Sequence, residues 1–509
     1  MKIVFAVSED ENLGVEYISS YLKQNGHTVY LIYDPKQFDR SYLRNSFLAR
    51  FFDWKRINLE KIQALQPDLI AFSCVTATYQ WALSFAQEIK KVLDTPIIFG
   101  GVHPTLVPDL VIQNPCVDMV CVGEGEEAFL ELVNSLQKKD GRTDIPNIWF
   151  KSKGNIIKNM PRPLQEDLDQ YPFLDRNLFW NQFPKFLTQN VNSLTSRGCP
   201  FNCTYCGNEQ KRKVYQGKGR YLRQRSVSSV INELLFLKKN YRIKEIIFVD
   251  DVLTMDKAWF ANFSKLYRQK VRLPYTCFVH ARLLDEKTAF LLKASGCRLA
   301  AFGIQSGDEK IRREILHRYE SNKEIKRAAY ICKKYHLKFM IDHIFDIPFD
   351  FDIQKSINLY SEIRPDMINC FNLLYFPKAK IIDYALQAGN LRLEDIPEIE
   401  RGESIVYETG IFSKKSEEAR DYYKNFALFL TSLPLLPIQT AKKISRNPKL
   451  LRLFSRLPLF LIPIIKIWLN WRLGHGFLPF QILRGELYWS QQLIKYKLKS
   501  LLKNRTYAG

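Results

Sequence analysis

The sequence predicts an α/β protein: a doubly wound, Rossmann-like N-terminal domain, then a partial or full (β/α) barrel, then a mainly helical C-terminal region. Three observations carry this expectation. Over the first 135 residues, short β-like runs alternate with amphipathic stretches of helical period, the pattern of a parallel sheet covered on both faces. A second series of the same kind runs from Ser193 to about Gly389, and that many successive βα units read as a barrel. Beyond it the chain is apolar, basic and interrupted by proline. The expected divisions are 1–137, an interdomain linker at 138–187, 188–390, and 391–509.

In order along the first domain, the strands are Lys2–Val7, Thr28–Tyr33, Asp68–Ser73, Pro96–Phe99 and Asp118–Val122. Helices fill the gaps, among them Leu13–Gln24, closed by Gly26, and Tyr79–Leu93, ending before Pro96. Such sheets bind ligands beyond the carboxyl ends of their strands. That rule singles out Ser8–Gly14, Ser73–Thr76, Gly100–Pro104 and Gly123–Glu126. The linker is polar and punctuated by Pro146, Pro161, Pro163 and Pro172. Barrel strands follow at Ser193–Ser196, Glu245–Val249, Tyr275–Val279, Leu299–Ile304, Phe339–Ile344 and Met367–Leu374, with helices such as Val227–Asn240 and Asp256–Gln269 between them.

With 509 residues and 46% hydrophobic content, the chain can fill two or three cores, which excludes a disordered protein. The apolar run Lys2–Val7 stops at Ser8–Glu11 and is too short for a signal peptide, so a cytoplasmic location with reduced thiols is expected. The ten cysteines are then not a disulfide framework. Cys74, Cys116, Cys121, Cys277, Cys297, Cys332 and Cys370 are scattered and read as buried filler.

Cys199, Cys203 and Cys206 stand apart, spaced C-x-x-x-C-x-x-C in the stretch Ser196–Asn208. A structural zinc takes four ligands, and neither a second C-x-x-C nor a C…H pair lies near. Three thiolates on a [4Fe–4S] cluster leave one iron open for a ligand or substrate, whereas electron carriers use four.

This spacing after a first barrel strand, with Tyr205 before the last cysteine, resembles the radical S-adenosylmethionine (SAM) superfamily. The resemblance implies that Cys199, Cys203 and Cys206 hold the cluster, that SAM chelates the open iron, and that one electron cleaves it to a 5′-deoxyadenosyl radical. It also implies an external one-electron donor of the flavodoxin or ferredoxin type. SAM contacts carried over are Gly207 and Asn208 after the last cysteine, Asp250 at the next strand end, and Gln305, Ser306 and Gly307. Gln305 stands where relatives carry Glu, an amide that can hydrogen-bond but brings no charge. Phe345–Pro348 and Tyr375–Lys380 replace glycine-containing turns of the family. No catalytic acid, base or hydrogen donor is singled out.

The N-terminal domain is similar to the cobalamin-binding domains of the cobalamin-dependent branch of that superfamily. The resemblance implies corrinoid contacts at Ser73, Thr76, Gly100, Gly101, His103, Gly123, Glu124 and Gly125. Glycines suit close backbone approach to a flat ring, and backbone N–H groups suit its phosphate tail. Where classical corrinoid carriers have D-x-H-x-x-G, this chain has Asp10–Gly14 without histidine, so no histidine from that loop is expected on cobalt, and His103 is expected to shape its loop.

Of the net charge of +22, about +13 falls between Thr440 and Gly509, with 14 basic residues against Glu486. The longest clean apolar run, Leu457–Ile465, is too short to cross a bilayer. Leu493–Lys503 reads as a basic amphipathic helix. An anionic membrane surface at the inner face is the expected partner, against a helical cap with a solvated face. A nucleic-acid partner is not expected, since no binding module accompanies the charge. Together these features point to a cobalamin-dependent radical SAM enzyme that methylates an unactivated carbon of a lipid or other membrane-associated substrate. Cyclisation, oxidation or rearrangement without methyl transfer is the alternative, and a non-catalytic corrinoid sensor is the rival of another class.

Overall fold

Strand β1 (Lys2–Ser8) is buried from its second residue onward, as a central strand covered on both faces must be. It pairs in parallel with β2 (Thr28–Asp34) on one side and β3 (Leu69–Ser73) on the other; β4 (Ile97–Gly100) and β5 (Met119–Cys121) continue the parallel sheet. The order β2-β1-β3-β4-β5 reverses direction between β1 and β3, which makes their carboxyl ends the topological switch point where such sheets take ligands. Alternation along β1 divides the core. Ile3, Phe5 and Val7 pack with Val15, Leu22, Phe129 and Leu132, while Val4 and Ala6 pack with Phe72, Phe85 and Phe99 on the other face. A computed structural model of the chain describes residues 1–38, 45–152, 154–350, 352–403, 426–447, 449–450, 461–473 and 484–497.

The linker is more than a connection. It supplies β6 (Ile148–Ser152) and β7 (Asn155–Ile157), an antiparallel hairpin that extends the first sheet beyond β5. The signal was the apolar alternation of Ile148 and Phe150, both buried, ahead of Gly154 at φ +80°. Arg176, 2% exposed, then joins this segment to helix Leu13–Gln24 through Glu16, at 2.9 Å.

The barrel is partial. Six parallel strands run in the order β15-β14-β13-β12-β11-β8. They are β8 (Asn190–Ser193), β11 (Glu245–Phe248), β12 (Tyr275–Val279), β13 (Cys297–Gln305), β14 (Phe339–Phe345) and β15 (Met367–Asn372). The first strand begins earlier than the sequence suggested. Ser196–Arg197 instead forms β9, which pairs antiparallel with β10 (Arg223–Gln224) just ahead of the cysteines. The helix expected at Asp256–Gln269 starts at Lys257, because Asp256 caps it by accepting from the Ala258 and Trp259 N–H groups, and after Leu266 it continues as a π turn over Tyr267–Val271. Phe248, Tyr275, Phe302, Phe339, Ile341 and Ile368 face outward into the helix-covered core. The alternate residues Ile247, Phe278, Gly303, Met340, Asp342 and Asn369 keep partial exposure and line the lumen.

The C-terminal region is helical where described: 426–432, Ile438–Ser445, Leu461–Arg472 and 484–497. Helix Leu461–Arg472 packs Ile465 and Leu469 against Leu299, Met340 and Met367, near the starts of three barrel strands. The 484–497 helix returns to the first domain, where Trp489 and Leu493 join its core and the Trp489 ring lies 5.3 Å from that of Tyr33. The apolar side of the expected helix Leu493–Lys503 therefore begins against protein; residues 498–503 lie outside the described residues, as do 457–460 of the apolar run. Among the described residues, no helix is long and apolar enough to cross a membrane.

Candidate active site between the two domains

The carboxyl ends of β1, β3, β4 and β5 face the barrel across a cavity of about 430 Å³. Six of the eight residues expected at a corrinoid line it: Ser73, Gly100, Gly101, Gly123, Glu124 and Gly125. Thr76 and His103 lie behind the wall. The His103 ring is fully buried, lies tilted against the Tyr79 ring at 4.2 Å and puts Nδ1 3.2 Å from Thr76 Oγ1, joining the loops after β3 and β4. Burial pushes its pKa down to about 3, so it is neutral. The loop after β1 sends Leu13 and Gly14 to the cavity, and Asn12 caps its helix while donating to Ser73 Oγ at 3.3 Å.

Two glycines are demanded by close approach. At Gly101, φ +97°, a Cβ would stand 2.6 Å from the Cys74 carbonyl oxygen; at Gly123, φ +92°, it would stand 2.0 Å from Tyr215 Oη. Tyr215 belongs to the barrel, and its hydroxyl accepts from the Glu124 N–H at 2.5 Å. The loop after β5 thus receives the second domain as well as walling the cavity.

A buried ion cluster locks the two domains at the same place. Arg197 pairs with Glu124 at 3.1 Å and with Glu126 at 2.6 Å, and Arg223, its register partner across β9 and β10, grips Glu124 with both terminal nitrogens. The Arg197 guanidinium also lies over the rings of Tyr17 and Tyr171, at 5.0 and 5.4 Å. Burial works against the Glu124 charge, but Arg197 and Arg223 outweigh it and hold its carboxyl below the usual range. Neither arginine stood out in the sequence, because each lies 71 to 99 residues from the Gly123–Glu126 stretch it pairs with.

One residue past Arg197, Gly198 at φ +90° starts the cysteine loop, where a Cβ would strike the Tyr221 carbonyl at 2.4 Å. Thr204 fastens the loop by donating to the carbonyls of Leu316 and Ile315, at 3.2 and 2.6 Å. Cys203 is buried, while Cys199 and Cys206 stay partly accessible. Burial pushes the Cys199 thiol up to about 12 and raises that of Cys203, which Arg318 opposes from 3.7 Å. Arg318 is itself held by Glu320 at 2.7 Å and reaches Tyr205 Oη at 3.5 Å. Among the described residues, no three His, Cys, Asp or Glu side chains gather to hold a single ion. A cluster needs no such convergence, since each thiolate takes a different iron, and three soft donors on one accessible loop fit it.

The residues expected to meet SAM divide. Asn208, on the helix Gly207–Val214 that Cys206 starts, lines the cavity, donates to Asp251 Oδ1 at 3.0 Å and accepts from Tyr221 Oη at 3.1 Å. Asp250 turns inward, where it accepts from Thr195 N and Oγ1 at 3.0 and 2.8 Å and braces the turn before the cysteines. Its neighbour Asp251 faces the cavity instead. Strand parity could have found it, because Ile247, Val249 and Asp251 alternate toward the lumen and cavity. Gln305, at φ +71°, has a buried Oε1 with no hydrogen-bond donor among the described residues, an acceptor left for a ligand. Ser306 donates to Asp350, and Gly307 abuts Ser356, so both pack the strand end onto helix Ile353–Ile363.

Sequence comparison defines the class. Residues 3–133 match the family model described as B12 binding domain, and residues 193–356 match that of the Radical SAM superfamily. The chain is a cobalamin-binding radical SAM enzyme, and its cofactors are cobalamin, a [4Fe–4S] cluster and SAM. Among particular proteins, it is 28% identical to an uncharacterized methyltransferase of Pyrococcus horikoshii over 75% of this chain and 79% of that one. It is 24% identical to the anaerobic magnesium-protoporphyrin IX monomethyl ester cyclase of Rubrivivax gelatinosus, over 63% of this chain and 56% of that one. With the hopanoid C-3 methylase of Methylococcus capsulatus it shares 22% identity, over 70% and 65% respectively. The chain thus spans less than two thirds of the cyclase and of the hopanoid methylase. Two solved structures share the fold: the cobalamin-dependent radical enzyme OxsB, with aqua-cobalamin and SAM bound (TM-score 0.65, 14% identity, 99% of this chain and 80% of that one), and the methyltransferase TsrM from Kitasatospora setae, with tryptophan and a SAM analogue bound (TM-score 0.61, 17%, 77% of each).

Proposed function

We propose that the protein methylates an unactivated carbon of a lipid or other membrane-associated substrate. The observation that carries this is the shared cavity: one chamber is walled by the glycine-rich strand ends of the first domain and by Asn208, Lys211 and Asp251 beside the cysteine loop. When bound, the cluster supplies the electron that cleaves SAM and the corrinoid supplies the methyl group. The chain's own residues set the stage. Cys199, Cys203 and Cys206 hold the cluster; Asn208, Gln305 and the start of helix Gly207–Val214 meet SAM; and Gly100, Gly101, Gly123 and Gly125 admit the ring. Ile247, Phe278 and Met340 give the lumen an apolar wall, and Asp342, which accepts from Asn369 at 3.2 Å, gives it one polar spot. A lipid fits such a wall, and the similarity to a hopanoid methylase supports one.

The test is stoichiometry. Anaerobically reduced, reconstituted protein given lipid extract should form 5′-deoxyadenosine and S-adenosylhomocysteine in equal amounts, one of each per methyl transferred. The similarity to the cyclase favours a second reading, radical chemistry without methyl transfer; 5′-deoxyadenosine without S-adenosylhomocysteine would select it.

A further inference from the structure

Helix Leu461–Arg472 is apolar on two opposite sides. Ile465 and Leu469, with Leu473 beyond, are packed into the barrel among Leu299, Met340 and Met367. Ile464, Trp468 and Trp471, spaced four and three residues apart on the other side, are 51%, 46% and 62% exposed. Tryptophan on a surface helix suits a boundary between apolar and aqueous phases, because the ring is apolar and its N–H is polar.

The charge of the segment that carries this face says what covers it. Arg472 lies 5.8 Å from the Trp468 ring. From Thr440 onward the chain carries 14 basic residues, and its single acidic one, Glu486, is buried. A second copy of the chain would bring the same cations and repel. We propose that this face docks on an anionic phospholipid bilayer, with Ile464, Trp468 and Trp471 at headgroup depth and the helix lying in the plane of the interface. Because the opposite side of the helix packs at the strand starts, docking sets that end of the barrel on the bilayer. The docking holds the enzyme on the phase that carries a lipid substrate and rests on that reading for its purpose, but its test does not pass through turnover.

Full-length protein is sedimented with vesicles of phosphatidylcholine and with vesicles of phosphatidylcholine mixed with phosphatidylglycerol. Wild type is expected to sediment with the mixed vesicles only. Trp468→Ser with Trp471→Ser should lower the bound fraction at least tenfold with cobalamin content and circular dichroism unchanged, while Trp468→Phe with Trp471→Phe keeps most of it. Equal binding to both vesicles, or binding untouched by the serine pair, overturns the assignment. So does a wild-type dimer that the serine pair dissociates, which would give the face to a second copy. Protein that binds vesicles yet makes no methylated product overturns methyl transfer and leaves the docking standing.

Discussion

Replacing Arg197 by methionine tests whether the ion cluster holds the two domains together. Arg197 is the cation paired with Glu126, which is 5% exposed, and it shares Glu124 with Arg223. Removing one partner of a buried ion pair costs about 3–5 kcal/mol, because the other charge is left uncompensated. Two lost ring contacts add about 1 kcal/mol. Glu124 keeps Arg223, so the damage centres on Glu126. Arg197→Met should therefore weaken the interface by about 4–6 kcal/mol, and Arg197→Met with Glu126→Gln should recover about half, since no unpaired carboxylate remains. A chain of this size need not unfold in one step, so the readout is the rate of proteolysis in the connection around Pro161–Pro172 as a function of urea. The Glu124 carboxyl is held below its ordinary range, so its contribution is present above that range and is lost as pH falls through its folded pKa; wild-type cleavage should accelerate in acid. Arg197→Met within about 0.5 kcal/mol of wild type, or a pair with no recovery, would refute the clamp.

Four other outcomes are expected. Alanine at Cys199, Cys203 or Cys206 should abolish the cluster's absorbance and 5′-deoxyadenosine formation while cobalamin binding persists. Gly123→Ala should lower thermal stability, with partial recovery on Tyr215→Leu; Gly101→Ala, opposed by backbone at 2.6 Å, should lower it with no side chain to trim. Burial raises Asp342 from 3.8 to about 6, so the native state binds more protons between those values; stability should fall by up to about 3 kcal/mol as pH rises through that window, and Asp342→Asn should flatten the slope. Arg318→Met, which removes a cation from beside Cys203, should shift the cluster potential negative in an EPR-monitored titration, with a tenfold change in the reduction equilibrium reading as 59 mV.

Much of the fold was legible because periodicity is local. Strands Tyr275–Val279 and helices Leu13–Gln24 and Val227–Asn240 fall where the apolar pattern placed them. Helix Thr76–Lys90 starts three residues before the pattern suggested and ends three before it, since Thr78 rather than the apolar stripe sets its first turn. The hairpin of β6 and β7 was missed because proline density around it outweighed five residues of alternation. The site was legible where one short motif carries it, as the cysteines do. It was not legible where function depends on which way a side chain turns: Asp250 and Asp251 are chemically identical, and only their position on a strand end sends one inward and the other to the cavity.

The GEGE stretch shows why a motif can be read correctly and still incompletely. Its glycines line the cavity, while its carboxylates pair with arginines of the other domain. Arg197 is followed directly by Gly198 and Cys199, so the strand end proposed to hold the corrinoid and the loop proposed to hold the cluster are joined through one buried ion pair and two residues of chain. A reaction that passes a methyl group to a carbon activated at the other cofactor needs those two sites at a constant separation, because misplacement by about 1 Å can cost on the order of a hundredfold in rate. A flexible linker could not supply that constancy. A largely buried ion cluster with every charge opposed can, and it explains why acidic residues alternate with glycines that a cofactor alone would require.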